Sequence, residues 1–157
     1  DEEKKHLLYL AELKKKYALG LNQILELLEK PVLEIPVSVF ENKELSALEL
    51  ICRYLRENLG LSFHEIAGLL ERDNSTIWAT NNKSLQKRKE RLAVKKSYFF
   101  IPISVLRERR LSVLEAVVKH LKENYGLSYA QISRLINRDQ RNVWTVYSRA
   151  RRKDGQQ

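Results

Sequence analysis

Apolar positions in this chain fall into short runs with helical spacing, and the runs follow one another in a repeated order. From Ser46 to Asn58, residues Leu48, Leu50, Ile51, Tyr54 and Leu55 make one broad face, with Ser46 as the N-cap. Leu59-Gly60 stops this helix in a C-cap pattern. Ser62 caps a second, shorter helix, in which Glu65 completes a capping box and Ile66, Leu69 and Leu70 form the apolar face. After a turn at Glu71-Arg72, Asp73 caps a third helix that opens Asn74-Ser75-Thr76 and buries Ile77. A short apolar lead with a proline, Ile35–Phe40, precedes all three and is expected to be extended or turned.

The same order returns 66 residues later. The lead is Ile101–Leu106 and the caps are Ser112, Ser128 and Asp139. The apolar faces are Leu114, Val117, Val118 and Leu121, then Ile132, Leu135 and Ile136, then Val143. Gln131 replaces Glu65 and keeps the capping box. Residues 35–89 and 101–155 align without a gap and share 20 of 55 positions, matched Pro, Gly and Trp included, which marks a duplicated unit. Two short helices joined by a tight turn, the second opened by a capping Asp, describe a helix-turn-helix, with Ala67 or Ser133 where the two helices cross. The expected fold is therefore all-α. Two tandem trihelical units, 35–100 and 101–157, follow an N-terminal helical segment, 1–34, and the second ends in a basic tail. A chain of 157 residues buries one core of ordinary size or two small ones.

In the N-terminal segment, Leu7, Leu10, Leu13 and Tyr17, then Leu21, Ile24, Leu25 and Leu28, keep helical spacing until Pro31. A shift of 42 residues lays Ile24 under Ile66 and Leu28 under Leu70. The segment thus reads as a degenerate third unit, a cap over the first unit, or a surface for a protein partner or a second copy.

Charge changes the picture from fold to partner. The net charge is +9, which favours a polyanion. It is placed unevenly: −1 over residues 1–34, −3 over 41–73, +6 over 74–97, +3 over 101–137 and +4 over 138–157. Positive charge gathers at and after the third helices. Their first turns carry Asn74, Ser75, Thr76, Ala79 and Thr80 in one copy, and Gln140, Arg141, Asn142, Thr145 and Arg149 in the other. These side chains suit base edges and nearby phosphates. Lys83, Lys87, Arg88 and Lys89, with Arg149, Arg151, Arg152 and Lys153, are placed to neutralise backbone phosphates. The second copy is the more basic, +7 against +3 over 35–99, and has Arg141 where the first has Ser75. That inequality favours an asymmetric target over a perfect internal dimer. Trp78 and Trp144 recur one residue after a core position and are expected to pack against the first helix of their own copy, with base stacking as the alternative. Tyr147, in place of Asn81, adds aromatic packing to the last helix.

LSALELICRYLRENLGLSFHEIAGLLERDNSTIW resembles the promoter-recognition domain of bacterial sigma factors and related small regulators. The shared features are the Leu-Ser helix start, the Gly-Leu-Ser boundary, Glu-Ile-Ala in the second helix and a capped third helix. It is also similar to the DNA-binding heads of some transposases and resolvases, where a phrase like Arg-Asp-x-Ser-Thr-Ile-Trp begins the recognition helix. The resemblance covers about residues 45–90 and 111–153. It implies that the two first-turn sets named above face the major groove. The polymerase-binding helices of sigma factors and the nuclease domain of transposases have no counterpart in this sequence.

Other functions find little support. His6, His64 and His120 share no ligand spacing, Cys52 has no partner cysteine, and there is no Walker or dinucleotide glycine pattern. No catalytic residue, metal, cofactor or small-molecule ligand is expected. A lone cysteine suits a reducing compartment. No apolar run approaches a membrane span, and DEEKKH at the start is unlike a secretory signal. The first residue, Asp1, fits a processed or trimmed chain. The sequence points to a DNA-binding protein of the cytoplasm or nucleoid (nucleus, if eukaryotic). It would read double-stranded DNA through two tandem units, in transcriptional regulation or DNA organisation. The alternatives are the DNA-recognition part of a larger recombination, replication or segregation machine, or a protein-interaction adaptor.

Overall fold

A computed structural model describes residues 2–18, 20, 23 and 33–155. The chain divides into two compact units, Asp1–Val32 and Leu33–Gln157. In the first, α1 spans Glu2–Tyr17, with Lys14, Lys15 and Lys16 in its last turn, where they complement the negative end of the helix dipole. Leu7, Leu8 and Tyr9 on this helix are exposed. The degenerate third unit expected around Leu21, Ile24, Leu25 and Leu28 lies outside the described residues.

The second unit is built twice over. First come β1 (Glu34–Pro36), a 3-10 turn (Val37–Glu41), α2 (Ala47–Glu57), α3 (Phe63–Leu70) and α4 (Asn74–Lys87). Then follow β2 (Phe100–Pro102), α5 (Ile103–Leu106), α6 (Val113–Glu123), α7 (Tyr129–Leu135) and α8 (Gln140–Asp154). The chain is predominantly helical, and the departure from an all-helical expectation is the short ribbon of β1 and β2.

Local chemistry explains the helix limits. Ser46, Ser62, Ser112 and Ser128 each accept the N–H three residues on, while Glu49, Glu65, Glu115 and Gln131 reach back to the serine N–H, giving four complete capping boxes. Gly60 and Gly126 take φ of +68° and +65°, letting Leu61 and Leu127 N–H close on the carbonyls of Leu55 and Leu121. The links into α4 and α8 turn through left-handed Glu71 and Asn137, each at φ +52°, and Arg72 and Arg138 N–H then bond the carbonyls of Ala67 and Ser133 at 3.0 Å.

The ribbon joins the two copies. β1 and β2 are antiparallel in the register Glu34↔Pro102, Ile35↔Ile101, Pro36↔Phe100. Proline is tolerated because a two-stranded ribbon has only edges. Val37 N–H to Phe99 C=O (3.0 Å) and Ile103 N–H to Leu33 C=O (2.9 Å) extend the ladder past each proline. Beyond it, the 3-10 turn of the first copy packs on α7 of the second, α5 of the second packs on α3 of the first, and α2 meets α6. Ile35, Phe40, Leu50, Ile51, Ile66 and Ile77 belong with Ile101, Leu106, Val117, Ile132 and Val143 to one contiguous core. Cys52 is buried in it, and burial pushes its thiol pKa up to about 12.

Arg53 is the largest fully buried side chain. Its guanidinium pairs with Glu57 and donates to the carbonyls of Arg88 and Glu90, both at 2.8 Å, so the buried charge is satisfied while it pins the chain leaving α4. Lys119 stands at this place in the second copy and pairs with Asp154. No helix among the described residues is long and apolar enough to cross a membrane.

Candidate nucleic-acid interface

Each copy presents its third helix with one side against the core and the rest in solvent. α4 buries Ile77, Asn81 and Ser84, and α8 buries Val143, Val146 and Ala150. Ser84 Oγ donates to the Asn81 carbonyl at 2.6 Å, which satisfies a hydroxyl with no exposed surface. Tyr147 occupies the place of Asn81, donates its hydroxyl to Glu123 at 3.1 Å, and lies 5.9 Å from the Tyr129 ring. The helix starts differ. The Asp139 side chain accepts from the N–H of Arg141 (2.8 Å) and Asn142 (3.4 Å), whereas Asp73 makes no side-chain cap bond.

With about 100° between successive residues, the row opposite the buried side of α4 is Ser75, Ala79, Asn82 and Gln86. On α8 it is Arg141, Thr145, Ser148 and Arg152. Thr76, Thr80, Lys83 and Lys87 flank the first row, and Asn142, Arg149 and Lys153 flank the second. Asn74 and Gln140 stand exposed in the first turns. The sequence-derived residues are thus gathered on two helices, except Arg88 and Lys89, which lie just past the end of α4, and all are exposed or half-buried. Asn82, Gln86 and Ser148 belong to the same rows and were missed, although helical spacing alone reaches them.

Trp78 and Trp144 correct an expectation. Neither is buried against its own first helix; they are 56% and 55% exposed. Each lies one residue, about a quarter turn, from the buried Ile77 or Val143, and this carries the ring to the flank. Leu85, also exposed, follows Trp78 on that flank, and Arg151 follows Trp144.

Ion pairs sort the basic residues. Lys87 Nζ lies 2.9 Å from Glu49 and Lys153 Nζ 2.8 Å from Glu115. Both carboxylates are nearly buried capping-box residues, so these lysines tie the ends of α4 and α8 to the starts of α2 and α6. Burial alone would raise the Glu115 pKa, but Lys153 and the Ser112 N–H hold it below the usual carboxylate range. Arg88 turns back to Glu44 at 3.3 Å. Arg151 lies 3.6 Å from Glu123 and is largely exposed, a weak pair. Lys83, Lys89, Arg141, Arg149 and Arg152 are exposed and form no ion pair among the described residues.

Two further arginines were not read from sequence as site residues. Arg72 and Arg138, just before α4 and α8, line one depression together with Ser46, Ala47, Leu48, Ser112, Val113 and Leu114. Every residue there has its counterpart 66 positions away. Burial, then the neighbouring Arg109, draws the Arg72 pKa down. Among the described residues no group of three or more His, Cys, Asp or Glu side chains is placed to hold a metal. Comparison with known proteins finds no matching family model, no curated relative and no solved structure of similar fold.

Proposed function

We propose that α2–α4 and α6–α8 are two helix-turn-helix units, and that the chain binds double-stranded DNA sequence-specifically, in transcriptional regulation or DNA organisation. The observation that carries this reading is the matched pair of third helices. Each turns to solvent a row of short polar or cationic side chains, flanked by Lys83 in one copy and Arg149 in the other, neither of which pairs with a carboxylate among the described residues. Asn and Gln suit adenine edges, Arg141 suits guanine, and Lys83, Arg149 and Arg152 suit phosphates. The likeness to sigma-factor promoter-recognition domains points the same way. A role as the recognition part of a larger recombination or replication machine uses the same surface.

One observation favours a second reading. Trp78 with Leu85, and Trp144, are exposed apolar groups on the flanks of the same helices, which suits docking to a protein. Titration of labelled random-sequence duplex at several salt concentrations separates the two. DNA binding predicts an affinity that falls steeply with salt, one counterion or so per phosphate contact. Absence of binding at moderate salt would leave the tryptophan flank as a protein-contact surface.

A further inference from the structure

Ile35 and Ile101 are equivalent residues of the two copies, and they pair with each other in an antiparallel ribbon. Exchanging the copies therefore maps the ribbon onto itself, because Glu34↔Pro102 becomes Phe100↔Pro36. Only a two-fold rotation through the Ile35–Ile101 pair does this. Four other features obey the same exchange. The flanking bonds Val37 to Phe99 and Ile103 to Leu33 are reciprocal. The 3-10 turn on α7 mirrors α5 on α3, and α2 meets its own equivalent, α6. The depression lined by Arg72 and Arg138 is self-complementary residue by residue, so it lies on the axis, and the residues leading into α4 and α8 reach it from opposite sides.

We infer that the two units read half-sites in inverted orientation at one fixed spacing, as an internal two-fold pair, and not as two readers facing the same way along DNA. This rests on the DNA-binding reading above and sharpens it to a class of target. A two-fold protein matches the local two-fold of a duplex, so equivalent helices meet equivalent grooves on opposite strands. The half-sites themselves differ, because Ser75, Ala79, Asn82 and Gln86 face Arg141, Thr145, Ser148 and Arg152 across the axis. The target is an imperfect palindrome whose stronger half belongs to Arg141. A shared core and a hydrogen-bonded ribbon leave no flexible tether, so the spacing is rigid.

The test is selection of bound duplexes from a random pool with the whole chain and with a variant carrying S75R, A79T, N82S and Q86R, which copies the second reading row onto the first. All four positions are solvent-facing or half-buried. The expected result is two unlike inverted half-sites for the parent and two closely similar inverted half-sites for the variant. Inserting about 5 base pairs, half a turn, between the half-sites should lower affinity about 100-fold. A direct repeat from the variant, or affinity indifferent to the insertion, overturns the inference while leaving DNA binding intact. Tight binding without any motif does the same. Absence of binding overturns the DNA reading itself.

Should the fourfold variant not fold, DNA cleavage by an iron chelate gives the orientation. The chelate is tethered at Q86C or R152C with Cys52 replaced by valine, the residue at its equivalent position, Val118. Cleavage tracks that mirror about the site centre support inversion, and tracks that repeat by translation overturn it.

Discussion

Ile35 lies opposite Ile101 across an antiparallel ribbon, and both side chains are fully buried. The two copies are not separate small domains but exchange their lead segments, each packing on its own first helix and on the second helix of the other copy. The core is a joint product, so neither copy has a complete one alone.

Unfolding should therefore be a single transition. W78F leaves Trp144 as the sole indole reporting on the second copy, and W144F leaves Trp78 to report on the first. Denaturation curves from the two variants are expected to coincide. Ile101→Ala should shift both together, at a cost of about 2–5 kcal/mol for a buried Ile-to-Ala change. A probe in the first copy that ignores Ile101→Ala would show that the copies fold independently.

The basic residues on α4 and α8 should separate into two groups. Lys87→Ala and Lys153→Ala strand the buried carboxylates of Glu49 and Glu115, so stability falls by about 1–3 kcal/mol. Lys83→Ala and Arg152→Ala touch no described carboxylate and should leave the melting point within a degree or two. If DNA is the partner, these two lower the slope of log affinity against log salt by about 1 each. Parallel stability measurements and salt titrations on the four variants check the division. A stability loss confined to Lys83→Ala and Arg152→Ala would reverse it.

What was legible in the sequence was local. The serines at 46, 62, 112 and 128, the glycines at 60 and 126, and the apolar spacing each act within a few residues, so pattern alone places helix starts and stops. The partner of a lead segment is not local. Ile-Pro-Val and Ile-Pro-Ile say that the chain is extended, but not that each lead pairs with its own duplicate 66 residues away. Trp78 and Trp144 show a different limit. Recurrence in both copies suggested packing, yet the buried set Ile77, Asn81 and Ser84 leaves a neighbour of Ile77 on the flank. Basic character at Lys87 and Lys153 was plain, but their pairing with carboxylates 38 residues earlier depends on how α4 and α8 cross α2 and α6.

Glu71 is a site for stabilisation. It holds φ +52°, where an ordinary L-residue pays about 1–2 kcal/mol and asparagine much less. Its counterpart is already Asn137, whose amide also donates to the Glu41 carbonyl at 3.2 Å. Glu71→Asn is therefore expected to raise stability by about 0.5–1 kcal/mol. Chemical denaturation checks this, and a lower midpoint would mean that the turn is not strained.

Glu115 should contribute to acid sensitivity with a definite sign. Burial works against its charge, but the ion pair with Lys153 and the bond from the Ser112 N–H outweigh it, so its folded pKa lies below the ordinary carboxylate value. A depressed carboxylate pKa stabilises the fold fully above the unfolded pKa of about 4.3, and that contribution disappears as pH falls through the folded value. Glu115→Gln isolates the charge, because an amide can still close the capping box, as Gln131 does with Ser128. The variant should be less stable than the parent by about 1–2 kcal/mol at pH 7. The gap should hold to about pH 5 and narrow at lower pH, as the parent's carboxylate takes up its proton. Asp154 and Glu65, whose pKa values are also lowered, weaken both proteins alike in acid and cancel in the difference. Urea midpoints measured from pH 7 down to pH 3 test it. A gap that stays constant across that range would show that the Glu115–Lys153 pair adds no charge-dependent stability.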